Sequence, residues 1–454
     1  MAPVSRRTAL GALGGTGLSA LAGVAAARSG LAHAFDGHAP FELSATSGEA
    51  KDPVFTWVSM PDFFNGDVGD LSVLPSWDGG PNSVNDSWTQ AIDKCLGGVV
   101  DRKPDAVFLT GDMVEGRWNV DTGERQLFGA VSSGIDPESI AMGQAAVTVA
   151  GGVYYSYGSN LFTSRGLRMF PAVGDHEILD DRPGPLNNRW SPTGFNKNGT
   201  PDNRYYLVDH CKDVWANHFT RHGGAPRYAR RPIGTKAEFS AYSVSFADAL
   251  TLITVDCFDR NQHGVRLGVF DGQLRWLRSE IRHAKARGHA VIVQGHIPII
   301  WPSRWLASGR LRVPNGRDSE FYKVLDREGV DLYLCGEVHD STMHQHSRTG
   351  PVQISHGCIF RYGFSYLVGR LFPDKRFVID LYEVPVLRAS REHDLWCSDL
   401  PRSQRTYLDY GSPVHRGRLV QKHREVLKHT EKLGHYRPGD DPYGLRGNLK
   451  TVVY

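Results

Sequence analysis

The chain has 454 residues, 40% hydrophobic and 22% charged, the composition of a globular protein with core enough for one large domain or two ordinary ones. Its formal charge of +3 is that of Arg6, Arg7 and Arg28 in residues 1–34, which hold no Asp, Glu or Lys, so the remainder is neutral. Charge therefore gives no ground for specific nucleic-acid recognition or for membrane-surface binding.

Residues 1–34 read as a signal peptide: a basic start, a Gly/Ala/Leu-rich stretch to Ala27, and the small-residue end Leu31-Ala32-His33-Ala34. The pair Arg6-Arg7 resembles a twin-arginine export signal, which predicts a periplasmic or extracellular destination. Cleavage is expected after Ala34, with Ala27 as the alternative. No later segment approaches the roughly 18 uninterrupted apolar residues of a membrane span. The six cysteines lack the paired spacing of zinc ribbons, and Cys335 reads as a small core residue.

Residues 35–52 read as an irregular arm. Phe55–Met60 is a first strand, 70–85 a loop, and Ser87–Val100 a helix with one apolar stripe (Trp88, Ile92, Cys95, Leu96, Val99) before the strand Ala106–Leu109. A helix runs from Ser139 into the Tyr154–Phe162 region, followed by the strand Met169–Val173. Residues 180–235 are irregular, as expected of a substrate-facing lid or extra lobe. Ala241–Phe246 and Leu250–Asp256 form a hairpin, Gly272–Arg287 a helix, Ala290–Val293 a strand, Ser319–Glu328 a helix and Val330–Leu334 a strand. Gln353–Ser355, Ser365–Leu371 and Arg376–Val384 read as antiparallel strands completing a second sheet. Residues 385–454 carry 13 Lys/Arg against 8 Asp/Glu and read as a basic, solvated helical extension, with an amphipathic helix at Leu419–Leu433. The alternation of strand and helix predicts an α/β architecture.

The chemistry lies at the strand ends. Four apolar runs end in Gly111-Asp112, Gly174-Asp175-His176-Glu177, Gly295-His296 and Gly336-Glu337-Val338-His339. In sheets covered on both faces, ligands bind beyond the carboxyl ends of the strands, so these side chains are placed to converge. Asp, His and Glu together are metal ligands.

The series resembles the calcineurin-like metallophosphoesterase superfamily, whose pattern is Asp-x-His, Gly-Asp, Gly-Asn-His-Asp/Glu, a lone His and Gly-His-x-His. The resemblance covers roughly Val54 to Val384. It departs from the pattern at Asp175, where the family has Asn, and at Glu337, where it has His. At the first motif, Asp62 stands closest to the strand end, but Phe64 occupies the position of the family's His. Asp67, in Gly66-Asp67-Val68-Gly69, is the alternative, resembling the Gly-Asp-x-Gly form of purple acid phosphatases.

The resemblance implies a four-layer αββα sandwich of two mixed sheets flanked by helices, with its domain over 53–384. It also implies two divalent ions and hydrolysis of phosphomono- or phosphodiesters by a metal-bound hydroxide. Asp112 is the bridging ligand; Asp175, His296 and Glu337 serve one ion, Asp62 and His339 the other. His176 faces the substrate as general acid or transition-state stabiliser, with Glu177 adjacent to restrain or tune it. Arg117 is a candidate phosphate contact, its alternative an ordinary loop arginine, and His356 reads as a structural histidine. The oxygen-rich ligand set favours Mn or Fe, with Mg, Ca or Zn admitted, and the missing histidine leaves a single-metal site open. A phosphorylated small molecule or polymer is the expected partner. The rival reading is a non-catalytic exported binding protein on the same scaffold. A serine hydrolase lacks its Gly-x-Ser-x-Gly elbow.

Overall fold

The apolar runs that precede these motifs become neighbouring strands in a computed structural model of the chain. It describes residues 52–60, 62, 67–80, 82, 84, 86–114, 116, 118, 125–179, 203–262, 264–300, 311–337, 342–356, 359–360, 363–389, 408–429 and 450–453. The expected signal peptide and arm lie outside these residues, apart from Asp52.

In chain order the first elements are β1 (Phe55–Ser59), α1 (Asp86–Asp101), β2 (Ala106–Leu109), α2 (Pro137–Thr163), β3 (Met169–Pro171) and α3 (Arg204–Phe219). Next come β4 (Tyr242–Phe246), β5 (Leu250–Thr254), α4 (Asp271–Ala286), β6 (Ala290–Gln294), α5 (Glu320–Arg327), β7 (Leu332–Cys335), β8 (Thr342–Gln345) and β9 (Val352–Ser355). The last are β10 (Gly363–Leu371), β11 (Arg376–Ala389), β12 (Val414–Lys422), β13 (Glu425–His429) and β14 (Lys450–Val453). Local chemistry marks the helix starts. The Asp136 carboxylate accepts from Ser139 N ahead of Pro137 in α2, and the Ser319 hydroxyl accepts from Tyr322 N in α5.

Two large mixed sheets result. One has the order β13-β12-β11-β10-β1-β2-β3, with β1, β2 and β3 parallel. The other has the order β14-β8-β9-β7-β6-β5-β4, with β5, β6, β7 and β9 parallel. Phe246 of β4 stacks on Phe55 of β1 and meets Phe108 of β2 and Phe170 of β3, so the sheets face one another across a shared apolar core. Helix α2 packs by β3, and α4 covers β5 and β6. This is the mixed α/β sandwich that the resemblance implies.

Three expectations are corrected. Gln353–Ser355 runs parallel to β7 in the second sheet, whereas Ser365–Leu371 and Arg376–Val384 extend the first sheet from β1. Within 180–235, residues 203–235 are described and contain α3, which packs on α2 and on the turn holding His176. The amphipathic helix at Leu419–Leu433 is replaced by the antiparallel pair β12 and β13 up to His429; residues 430–433 lie outside the description. The physical reason is alternation. Gly417, Leu419 and Gln421 are buried while their neighbours are partly exposed, which is a period of two.

Candidate metal centre

The carboxyl ends of β2, β3, β6 and β7 bring Asp112, Asp175, His296 and Glu337 together, each buried and each offering one ligand atom within 4.8 Å of the others. Two glycines make the approach possible. Gly111 has φ 97°, and a Cβ there would lie 2.6 Å from His296 Nδ1. A Cβ on Gly174 would lie 2.0 Å from Asp112 Oδ1. Neither position tolerates a side chain.

His296 is the hub. Its Nδ1 lies 2.8 Å from the Thr110 carbonyl, which only accepts, so Nδ1 carries the proton and Nε2 faces the carboxylates. Nε2 stands 2.9 Å from Asp175 Oδ1, 3.2 Å from Asp112 Oδ2, 3.4 Å from Glu337 Oε2 and 4.0 Å from Asp62 Oδ1. Yet neither Nε2 nor Asp175 Oδ1 has a partner of hydrogen-bond geometry among the described residues.

The charges tell the same story. Burial, reinforced by Asp175, raises the Asp112 pKa above its ordinary value, and the same two causes push Glu337 up to about 8. Burial opposes charge on His296, but the Asp112 carboxylate and its neighbours hold it well above the ordinary imidazole value. Burial also opposes charge on Asp175, yet the His176 and His296 imidazoles hold it low. Buried acids crowded around one outward-facing nitrogen form a donor set that a divalent cation satisfies and that protons satisfy only in part. The residues present therefore fit a metal.

Asp62 is fully buried beside this group. Its Oδ1 accepts from Glu337 N at 3.2 Å, and its own N–H donates to Gly111 O at 3.1 Å. Asp67 sits elsewhere: its Oδ1 accepts from Gly116 N at 3.1 Å and from Trp118 Nε1 at 3.0 Å. His176 stands at the rim, its side chain 18% exposed, with Nε2 3.9 Å from Asp112 Oδ2 and 4.0 Å from Asp175 Oδ2. Glu177, expected to restrain or tune His176, instead places its buried carboxylate on backbone amides. It accepts from Asp112 N at 2.9 Å, Met113 N at 2.5 Å and Gly174 N at 2.5 Å, tying the β2 and β3 loops together. Burial and the Asp112 carboxylate push it up to about 8 against those bonds. Arg117 and His339 lie outside the described residues.

His356 bonds through Nε2 to Ser59 Oγ at 2.9 Å, joining the end of β9 to the end of β1, and burial pushes it down to about 3. Sequence reasoning misses the backbone partners. Thr110 O orients His296, and Leu311 N donates to Glu337 Oε1 at 2.7 Å. Main-chain groups carry no residue signature, so no motif announces them.

Among solved structures, the chain is similar in fold to a dimetal phosphatase of Danio rerio, at 14% identity and TM-score 0.41, covering 72% of this chain and 96% of that one. It is similar to PhoD at 10% identity and TM-score 0.48, covering 88% and 74%. It is also similar to GAP50, the anchor in the inner membrane complex of Plasmodium, at 12% identity and TM-score 0.37, covering 88% and 96%. None of these likenesses bears on substrate, and no curated protein matches the sequence. The family model of the calcineurin-like phosphoesterases matches residues 64–341, well over half of the chain, and the chain belongs to that family of metal-dependent hydrolases of phosphoric esters.

Proposed function

We propose that the protein is an exported phosphoesterase acting on phosphomono- or phosphodiesters at the ends of β2, β3, β6 and β7. The observation that carries this is the buried group of Asp112, Asp175, His296 and Glu337 with a partly open imidazole, His176, at its edge. These four residues hold one ion, with Asp62 and His339 assigned to a second. A bound divalent ion supplies Lewis acidity and orients the phosphoryl oxygens. Three carboxylates and one imidazole are a hard donor set, which favours Mn or Fe over Zn. His176 meets the phosphoryl group from the solvent side, where its imidazole donates to a phosphoryl oxygen or protonates the leaving group. Arg117 is assigned to the substrate phosphate, which a guanidinium binds bidentately.

Export is the reading that the Arg6-Arg7 leader supports. N-terminal sequencing of the exported protein reads the cut, expected after Ala34 or Ala27; an uncut leader overturns it.

The test of activity uses aryl phosphate mono- and diesters with and without Mn. His176→Ala is expected to lose about 10²-fold or more in kcat while keeping its metal. No turnover of any phosphoester, together with tight ligand binding, favours the binding-protein reading instead.

A further inference from the structure

Two acids follow β1, Asp62 and Asp67, and they take different tasks. Asp62 lies against Glu337 and His296, whereas Asp67 reaches across to the loop after β2. A single oxygen of Asp67 accepts both the Gly116 amide and the Trp118 indole N–H. Trp118 is fully buried, stacked on Tyr154 at 5.7 Å and edge-on to Tyr155 at 5.5 Å, so its N–H is a fixed donor. Gly116, in turn, lies directly on the turn that carries His176. Its φ is 85°, and a Cβ there would fall 2.6 Å from the His176 carbonyl oxygen and 3.4 Å from Leu179 Cα. That carbonyl also accepts the Leu179 amide, which closes the turn.

We propose that Asp67 is a positioning residue: it clamps residues 116 and 118, and through the Gly116 backbone it fixes the His176 turn against the metal centre. The proposal rests on the reading that His176 meets the phosphoryl group. It separates Asp67 from metal ligation, the task its Gly-Asp-x-Gly setting suggests. An acceptor oxygen is all the clamp requires, so an asparagine, oriented with its Oδ1 in place, preserves it. A metal ligand would lose affinity in that change, because the amide is neutral and a weaker donor to a cation than a carboxylate.

The experiment compares Asp67→Asn, Asp67→Ala and Trp118→Phe in the Mn-loaded full chain. Bound metal, kcat, KM and the His176 imidazole resonances in a ¹H–¹⁵N spectrum, assigned by their loss in His176→Ala, are recorded together. Asp67→Ala is expected to lower kcat about tenfold with metal content unchanged, and to add little in a His176→Ala background. Trp118→Phe is expected to reproduce part of the loss, and Asp67→Asn to stay within about twofold of the parent. The imidazole resonances shift in Asp67→Ala and Trp118→Phe but not in Asp67→Asn. Loss of metal in both Asp67 variants overturns the proposal in favour of ligation, and unchanged kcat and resonances in Asp67→Ala overturn it outright. If the parent protein turns over no phosphoester, the functional reading fails, and the resonances alone decide the clamp. Should Asp67→Ala fail to fold, Trp118→Phe carries the same comparison.

Discussion

Asp62, Asp112 and Glu337 hold left-handed backbone angles, with φ of 50°, 54° and 66°. For a residue with a Cβ that conformation costs on the order of 1 kcal/mol or more, and it persists only where the surroundings impose it. Here the surroundings are named: the Asp62 amide donates to Gly111 O, the Asp112 amide to Glu177, and the Glu337 amide to Asp62. A different cost lies in β8, where His344 is buried and neither ring nitrogen has a hydrogen-bond partner among the described residues. Burial pushes its pKa down to about 4. Because the folded value lies below the ordinary imidazole value of about 6.5, the stability this neutral ring retains is complete above pH ~6.5 and is lost as pH falls toward ~4. Over that window the loss amounts to about 3 kcal/mol, at 1.36 kcal/mol per pKa unit. His344→Leu removes the titration and the unpartnered nitrogens together. Urea unfolding between pH 4 and 7 should show a flatter acid limb in the variant than in the parent. Equal slopes would mean that His344 already finds a partner or solvent in the folded state.

At the scale of elements, segments whose period and burial agree were readable, and segments whose partners lie far along the chain were not. β2, β6 and β7 are short, apolar and buried throughout, and a continuous apolar run announces such strands. Helix α4 shows its stripe in Leu277, Ile281 and Ala284. β12 misleads because Leu419, Val420, Val426 and Leu427 recur at spacings that also suit a helix. What decides for a strand is Asp380 of β11, fully buried and receiving Arg418 of β12 at 2.5 Å, His415 at 2.9 Å and Arg370 of β10. A buried carboxylate of this kind needs cations on both neighbouring strands, and antiparallel pairing supplies them. The grouping of β9 with β10 and β11 fails for a related reason: β9 stays in the second sheet while β10 and β11 join β1, and a strand's own residues do not encode the neighbour it joins. The site divides in the same way. Asp112, Asp175, His296 and Glu337 were readable because the chemistry belongs to their own side chains and each follows a strand with glycine before it. The different tasks of Asp62 and Asp67 depend on where Gly116 and Trp118 fold back, and five residues of spacing carry no trace of that.

Across the whole molecule, the centre lies on the seam between the two sheets. Asp62, Asp112 and Asp175 come from the ends of β1, β2 and β3 in one sheet, and His296 and Glu337 from β6 and β7 in the other. Without a cation the seam concentrates buried carboxylates, and the elevated values of Asp112 and Glu337 express their burial first and the repulsion from Asp175 second. An ion held by both sheets replaces repulsion with a cross-link and binds only the folded chain, so it stabilises by mass action. At a free concentration 100 times Kd the gain is about 2.7 kcal/mol, and at 1,000 times about 4 kcal/mol. Protein dialysed against a chelator should therefore unfold several degrees below protein given Mn or Fe, with Zn giving the smaller rise. Sodium chloride at matched ionic strength should not substitute, because buried charges are screened far less than exposed ones. Asp112→Asn should abolish most of the response, since it removes one of the carboxylates that face His296 across the seam. Scanning calorimetry of the chelated, Mn-loaded and Asp112→Asn proteins decides the matter. Identical unfolding temperatures for the chelated and loaded parent would show that the seam is held by protons and packing, and that the acids converge there without an ion to join them.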